Sequence, residues 1–325
     1  MANNHIQFIA FNDTITSSKR ATLKSNRNAL RDKIRTYFKK NWPEKIQPKF
    51  HGQGSYAMHT ILNPLNDDKD LGAYDLDDGV YFIGSSKDDR ETINWYHNEV
   101  YEAVKNHTSK GAVNNAPCIT VEYADGHHID LPIYFMLEDD EHPQLAHRDS
   151  GWLDSDPREM TKWFNGREEH PQLRRLVKYL KAWANNIQYA NEKIKMPSGC
   201  ILTMLAVEFY ESNDRDDIAM QDLLHSMYDK LSAEDGFHCY RPTFPEGEDL
   251  FSSYNKTRKQ NFLTALKKFR DDADRAVNNT NPKEGCLKWQ KHFGDRFSCS
   301  TAKDIDEDAK KQENAGIIKN NSRFA

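Results

Sequence analysis

The amino-acid sequence predicts an α+β protein in which a small mixed sheet is followed by a helical half. Three segments between residues 75 and 137 have the continuous or alternating apolar pattern of strands. Beyond residue 170 the apolar residues recur every three or four positions, which is typical of helices. The same helical spacing precedes the sheet, so the expected order is a helix, a sheet and a helical lobe.

The first predicted element is one long helix over residues 17–40. Its apolar residues recur at helical spacing: Leu23, Leu30, Ile34 and Phe38. Lys and Arg fill the other faces, and Asn41-Trp42-Pro43 ends the helix. A glycine-rich turn, HGQGSYAMHT, follows at residues 51–60 and leads into an apparent helix.

Three segments predict the strands of the sheet: DLDDGVYFIG at residues 75–84, PCITVEY at 117–123 and HHIDLPIYFML at 127–137. The last two are separated by Ala124-Asp125-Gly126, which is a hairpin turn signal. Helical periodicity then marks residues 171–190, 198–211, 216–231 and 255–277.

These elements divide the chain into three expected regions. Residues 1–168 are expected to form a catalytic lobe that includes the first helix, and residues 169–300 a helical lobe that closes a cleft. Residues 301–325 are polar and without apolar periodicity, so a flexible tail is expected there.

Composition narrows the classes of function. The chain of 325 residues carries a formal net charge of −5. A duplex nucleic-acid binder usually shows a dense basic stripe, so binding to duplex nucleic acid is not expected. The five cysteines include no CxxC pair, so reduced cytosolic thiols are expected rather than a structural zinc site. The sequence contains no run of about 18 apolar residues and no secretory pattern at its N-terminus. We therefore expect a cytoplasmic protein that acts on small anionic substrates without a membrane.

The strongest candidate site is a set of three aspartates. Asp75 and Asp77 are two residues apart on a predicted strand, so both carboxylates point to the same side. Asp130 lies inside an otherwise apolar strand, where a lone charge is costly to bury without a partner. Neighbouring strands would gather these catalytic carboxylates around two Mg²⁺ ions, or two Mn²⁺ ions, because hard cations prefer oxygen ligands.

Simpler interpretations of these residues stay open at this point. DLDDG also has the composition of a solvated acidic turn, and Asp78-Gly79 has plain turn chemistry. His127 and His128 are expected to be turn or strand-edge residues, because Mg²⁺ rarely takes imidazole.

A phosphate-binding turn is predicted ahead of the acidic strand. Gly54 lets the backbone approach a phosphate closely, Ser55 offers a hydroxyl, and a following helix N-terminus attracts anions. Gln53 is a weaker candidate for the same role. A lone Gly-Ser is usually an ordinary turn, but its position about twenty residues before the acidic pair favours a site.

The strings GSYAMHT, DLDDGVYF and HHIDLPIYF together resemble the DNA polymerase β-like nucleotidyltransferase superfamily. Within it, QGSYAMHT followed by YDLDDGVYF is similar to the bacterial cGAS/DncV-like nucleotidyltransferases, also called CD-NTases. The resemblance covers most of residues 15–300. It implies a polymerase β-like catalytic lobe, a long N-terminal helix that braces both lobes, and a helical C-terminal lobe.

The resemblance also implies a Lys-x-Trp element that contacts the donor triphosphate, and Lys181 with Trp183 matches it. The buried stripe of this helix is expected to be Leu173, Val177, Leu180 and Ala184. That stripe leaves Lys178 beside Lys181 on another face, where they bind phosphate or are simply solvated. Ser198 matches a serine that the family places against the phosphates, and it also suits a helix N-cap.

The implied activity is synthesis of a cyclic di- or trinucleotide from ATP and other nucleoside triphosphates, with pyrophosphate release, in anti-phage signalling. A downstream effector would respond to the product, and operon-encoded proteins would regulate the chain or conjugate its tail, which ends in Ser322-Arg323-Phe324-Ala325. Two other functions stay open. One is nucleotide transfer to RNA, a small molecule or a protein, and the other is nucleotide binding without catalysis.

Overall fold

The computed structural model describes residues 1–16, 18–65, 74–167 and 171–307. Contacts divide the chain into two compact units. Among the described residues, the sheet unit comprises those within 16–171 and 239–250, and the helical unit comprises those within 1–15, 172–238 and 251–307. A single division near residue 168 would place residues 1–15 with the sheet and residues 239–250 with the later helices. By contacts, residues 1–15 belong to the helical unit and residues 239–250 to the sheet unit.

In chain order the described elements are α1 (His5–Ile15), α2 (Arg20–Asn41), β1 (Lys49–Gln53), α3 (Gly54–Ala57), β2 (Asp75–Gly84), α4 (Ile93–Val104), β3 (Ala112–Asn114), β4 (Cys118–Glu122), β5 (His128–Leu137), β6 (Gln144–His147), β7 (Gly151–Asp154), α5 (Pro157–Asn165), α6 (Pro171–Ala190), α7 (Gly199–Phe209), α8 (Asp216–Ser232), α9 (Lys256–Val277) and α10 (Pro282–Phe293). The three predicted strands and the four predicted later helices are confirmed, and their bounds shift by at most two residues.

The sheet unit is built on a mixed sheet with the strand order β1-β2-β5-β4-β3. β2 and β5 are parallel, and the other neighbours in this order pair antiparallel. β6 pairs with the far half of β5 and with β7. The predicted small mixed sheet is confirmed. The short strands β1, β3, β6 and β7 were not predicted, because three to five residues of mixed polarity carry little periodicity.

α2 packs its apolar stripe into the core of the sheet unit. The four predicted residues, Leu23, Leu30, Ile34 and Phe38, are each at most 1% exposed. They join one apolar cluster with side chains from the strands, and burial of each contributes roughly 1.5–3 kcal/mol. The helix begins at Arg20 rather than at residue 17, which lies outside the described residues.

α1 is a helix that the sequence analysis did not predict. Its residues Phe8 and Phe11 are fully buried in the helical unit, three positions apart on one face. Both rings contact the same aromatic residues: Tyr179, Phe293 and Phe297. The order of α1 therefore comes from contacts with residues about 170 or more positions away, which local sequence cannot show.

α6 carries the expected buried stripe in the helical unit. Leu173, Val177, Leu180 and Ala184 are each at most 4% exposed, as predicted. Side-chain caps begin the later helices: Ser198 accepts a hydrogen bond from the amide of Ile201, and Asn255 one from Arg258. Asn281 caps α10 in the same way, and that helix was not predicted.

A disulfide joins Cys286 of α10 to Cys299 in the segment that follows it, with Cα atoms 5.8 Å apart. The expectation that all five cysteines are reduced thiols is therefore wrong for this pair. The two residues are 13 positions apart, and only the turn after α10 brings them together.

The predicted tail falls mostly beyond the described part of the chain, which ends at residue 307. The terminal Ser322-Arg323-Phe324-Ala325 lies outside it. Across the described ranges, none of the helices combines the length and apolarity that crossing a membrane requires.

Candidate active site

The register of β2 and β5 places the predicted carboxylates on one face of the sheet. The two strands run parallel with Asp75 opposite His128 and Asp77 opposite Asp130. Side chains alternate along a strand, so these four polar residues share one face of the sheet. Leu76 and Ile129 point to the opposite face and are fully buried in the core. The core therefore fixes the register on which the site depends.

Three side chains on this face form a group that could hold a metal ion. Ligand atoms of Asp75, His128 and Asp130 all lie within 4.8 Å of one another, and each residue is half-buried. Two ligands of one small divalent cation are separated by about 3 to 4 Å, because each lies about 2.1 Å from the metal. The donor set therefore fits a divalent cation.

His128 was expected to be a turn or strand-edge residue; it is the first residue of β5, and it also belongs to this group. Its Nε2 lies 3.5 Å from Oδ2 of Asp130. The hydrogen bond to Asp130 raises the pKa of His128, although burial opposes the shift. The signal was present in the sequence, since His128 and Asp130 have the same two-residue spacing as the acidic pair.

Thr120 of β4 orients Asp130. The two residues are direct partners across the strands, and the Thr120 hydroxyl donates to Oδ1 of Asp130 at 2.6 Å. Burial disfavours the ionised form of Asp130, but hydrogen bonds from His128 and Thr120 outweigh it and lower the pKa of Asp130. Sequence reasoning missed Thr120, because no motif marks the residue opposite a carboxylate.

Cys118 lies two residues before Thr120 on the same face. Burial and the nearby charge of Asp130 raise the pKa of the Cys118 thiol to about 12. The thiol is therefore protonated at neutral pH and is a poor nucleophile.

The backbone of Gly54 lies directly against the side chain of Asp77. Its φ is +64°, a left-handed conformation that glycine adopts readily. A Cβ at this position would lie 1.9 Å from Oδ2 of Asp77, so a side chain there would collide with the carboxylate. Gly54 and Ser55 are the first residues of α3, which places the predicted phosphate turn directly beside Asp77.

Gln53 lies opposite Asp77 in the pairing of β1 with β2, but its side chain is buried. Its amide nitrogen donates to the Tyr134 hydroxyl at 3.2 Å, and its amide oxygen accepts from Tyr81 at 3.5 Å. The two tyrosine rings stack with their centroids 4.7 Å apart. These contacts give Gln53 a packing role, and its role as a nucleotide ligand stays a prediction.

Asp78 lies in the predicted strand, so the alternative interpretation of Asp78-Gly79 as a turn is wrong. It points away from Asp77 and is fully buried, and Arg31 of α2 forms a two-pronged ion pair with it. A buried charge needs such a partner. The pair ties α2 to β2 on the side of the sheet opposite Asp75, Asp77 and Asp130, whose side of the sheet we call the acidic face.

In the helical unit, Lys181 and Ser198 line one cavity of about 210 Å³. The cavity lies at the N-terminus of α7, and Arg258 adds a second cation to its lining. Gly199 makes room for the lysine, because a Cβ there would lie 2.9 Å from Cε of Lys181. Lys181 and Ser198, which the resemblance separately assigns to the donor phosphates, thus line one cavity, and their contact with phosphate stays a prediction.

Lys178 does not share this lining within the described residues. It is only 6% exposed, whereas the sequence placed it with Lys181 on a face away from the buried stripe. Burial lowers the pKa of Lys178 to about 8, and the neighbouring charge of Arg175 adds to the shift. A phosphate-binding role for Lys178 is an untested prediction.

One family model matches the part of the sheet unit that contains the three aspartates. Residues 48–134 match the nucleotidyltransferase domain of DncV-like cyclic GMP-AMP synthases. The matched stretch contains Gly54, Ser55 and all three aspartates of the acidic face. This stretch is similar to a DncV-like nucleotidyltransferase domain.

The chain also has a curated relative. A cyclic GMP-AMP synthase of Escherichia albertii is 30% identical over 180 residues. The match takes in 52% of this chain but 39% of that protein, so the chain covers well under half of that relative.

Solved structures of Vibrio cholerae DncV share the fold. The apo form has a TM-score of 0.76 at 18% identity, over 91% of this chain and 96% of that one. The complex with nonhydrolyzable GTP has a TM-score of 0.76 at 19% identity, over 92% and 97%. The complex with the linear intermediate 5′ pppA(3′,5′)pG has a TM-score of 0.72 at 18% identity, over 91% and 96%. The predicted fold class is therefore confirmed, and residues 48–134 match the family model that agrees with the predicted CD-NTase assignment.

Proposed function

We propose that this chain is a metal-dependent nucleotidyltransferase that joins ribonucleoside triphosphates into a cyclic di- or trinucleotide and releases pyrophosphate. One observation carries the proposal: β2 and β5 pair in a register that sets Asp77 opposite Asp130 inside the DncV-like domain. All three candidate carboxylates are present, whereas an inactive relative would typically have lost one.

Asp75, Asp77 and Asp130 would hold the divalent cations, with Mg²⁺ as the first candidate. Such cations polarise phosphate oxygens and stabilise the charge of a leaving pyrophosphate. The rest of the site orients the carboxylates: Thr120 fixes Asp130, and Gly54 leaves room for Asp77. Transfer of this kind needs little covalent chemistry from the protein, so positioning and electrostatics carry the rate.

Each of the two units has a feature that we propose binds phosphate. The backbone of Gly54 and the hydroxyl of Ser55 lie beside Asp77 in the sheet unit. In the helical unit, Lys181 and Arg258 present positive charge at the start of α7, where Ser198 is the cap. Cations and helix N-termini both attract phosphate.

Ribonucleoside triphosphates, including ATP, are the proposed substrates. The V. cholerae DncV structures contain nonhydrolyzable GTP in one case and a linear pppA–pG intermediate in another. A comparable reaction here would need no added acceptor, because one nucleotide supplies the hydroxyl that attacks the next. We further propose a role in anti-phage signalling through an effector, with operon-encoded proteins acting on the C-terminal tail.

The test is product formation from nucleotides alone. The full chain is incubated with all four labelled ribonucleoside triphosphates and Mg²⁺ or Mn²⁺, then with phosphatase, and products are identified by mass spectrometry. We expect a phosphatase-resistant cyclic product. A product that requires added RNA, protein or small molecule would instead establish another acceptor. Nucleotide binding without pyrophosphate release would contradict catalysis.

A further inference from the structure

The acidic face contains a nitrogen donor as well as carboxylates. His128 lies opposite Asp75 across the parallel strands and two residues before Asp130 on its own strand. Ligand atoms of these three residues converge within 4.8 Å, so the imidazole lies among the atoms that would surround a cation. The sheet sets this position, since His128 shares the half-buried face with both carboxylates.

A nitrogen donor changes which metals a site prefers. Mg²⁺ selects oxygen ligands and keeps several waters, whereas transition metals accept imidazole together with carboxylate. A site of two carboxylates and one imidazole therefore gains more affinity for a transition metal than for Mg²⁺. The neighbouring Asp77 lies against Gly54 and adds a further carboxylate to the same face.

We propose that His128 is a direct nitrogen ligand in a cation site with Asp75 and Asp130, and that it makes this site prefer Mn²⁺ and later transition metals over Mg²⁺. The inference rests on the proposed function, because it concerns the same acidic face. The competing role for His128 is a hydrogen bond that only orients Asp130, whose Oδ2 lies 3.5 Å from Nε2. That role would affect Mn²⁺ and Mg²⁺ binding alike.

Mn²⁺ alone, without nucleotide, is the probe. Electron paramagnetic resonance measures its affinity for the full chain, and competition with Mg²⁺ gives the preference between the two metals. Electron spin-echo modulation then detects ¹⁴N coupling from an imidazole bound to Mn²⁺. We expect the nitrogen signal in the wild type and its loss in H128N and H128A. Mn²⁺ affinity should fall about tenfold or more in these variants, and Mg²⁺ affinity clearly less.

Two controls separate the outcomes. H107N makes the same change at a half-buried histidine outside the group and should leave the nitrogen signal unchanged. D75N/D77N tests whether Mn²⁺ binds at the acidic face. If D75N/D77N loses Mn²⁺ but the wild type shows no nitrogen coupling, or if H128N weakens both metals equally, the role of His128 is overturned and the proposed function stands. If Mn²⁺ fails to bind the wild type, or binds D75N/D77N unchanged, the role of His128 is overturned, and the product assay with nucleotides decides the proposed function.

Discussion

Asp77 and Asp130 are direct partners across the parallel strands β2 and β5. The residues that precede them, Leu76 and Ile129, are fully buried on the opposite face. A slip of one residue in either strand would place its carboxylate in the core and its apolar side chain in solvent. Burial of Leu76 and Ile129 in the core therefore stabilises the strand register that aligns Asp77 with Asp130.

The fit of Gly54 to Asp77 predicts the effect of adding one methyl group. G54A forces a left-handed backbone on alanine and brings its Cβ to 1.9 Å from the Asp77 carboxylate. We expect lower stability together with loss of Mn²⁺ binding and of product, because the carboxylate must move. Thermal unfolding and Mn²⁺ titration would measure the two effects.

G151A is the matched control for this change. Gly151 also has positive φ, at +84°, but no atom lies within 4 Å of its added Cβ. It should cost only the backbone strain, about 1–2 kcal/mol, and leave the metal site intact. Equal stability losses and equal Mn²⁺ affinities in the two variants would show that the contact with Asp77 is unimportant.

The Thr120 hydroxyl predicts a second effect on the site. T120V keeps the size of the side chain but removes its hydrogen bond to Asp130. We expect a loss of about 1–3 kcal/mol in the free energy of unfolding, since the bond goes to a charged group. Mn²⁺ affinity should fall about tenfold as Asp130 loses its orientation. T120S retains the hydroxyl and should behave as wild type; a T120S defect as large as that of T120V would argue against the hydrogen bond.

Lys181 at the cavity of the helical unit should bind donor phosphate. K181A removes one charged contact, so the apparent affinity for nucleoside triphosphate should fall about tenfold or more. Stability should change by less than about 0.5 kcal/mol, because the side chain is half-exposed. Calorimetric titration with a nonhydrolysable triphosphate would measure the affinity. K193A, at an exposed lysine outside the lining, is the control, and equal affinities for the two variants would remove Lys181 from the site.

His292 in the helical unit should make stability depend on pH. Burial lowers the pKa of His292 from 6.5 to about 4, although the hydrogen bond to Asp272 opposes the shift. Between these values the unfolded chain binds a proton that the folded chain excludes. Stability should therefore fall as the pH drops from about 6.5 to 4, by at most about 1.4 kcal/mol per unit.

Urea unfolding across this pH window would measure the effect of His292. H292Q should flatten the dependence, while H225Q, at a more exposed histidine, should leave it as in the wild type. An unchanged slope in H292Q would contradict the assignment.

Patterns with a clear period were predictable, and contacts between distant residues were not. The apolar faces of α2 and α6 and the strand bearing Asp75 follow directly from side-chain spacing. α1 escaped prediction because the aromatic partners of Phe8 and Phe11 lie in the last part of the described chain and in α6.

Within the site, the sequence indicated the carboxylates but not their surroundings. Pairing across strands brings Thr120 to Asp130 and His128 to Asp75, and such pairing depends on register rather than on local spacing. The prediction of an exposed Lys178 was wrong. Its position on the helix favoured an exposed side chain, but the packing of α6 buries it. The side chain of Gln53 is likewise hydrogen-bonded to Tyr81 and Tyr134, and no sequence motif connects these tyrosines with Gln53.

Pyrophosphate release by D75N/D77N tests the central claim most directly. The full chain and the double variant are compared with D139N, which makes the same change at an exposed carboxylate after β5. With ribonucleoside triphosphates and Mg²⁺ or Mn²⁺, we expect the double variant to lose activity by at least about 100-fold while it unfolds near the wild-type temperature. D139N should keep full activity. Undiminished pyrophosphate release from a folded D75N/D77N variant would contradict the assignment of catalysis to the paired carboxylates of β2 and β5.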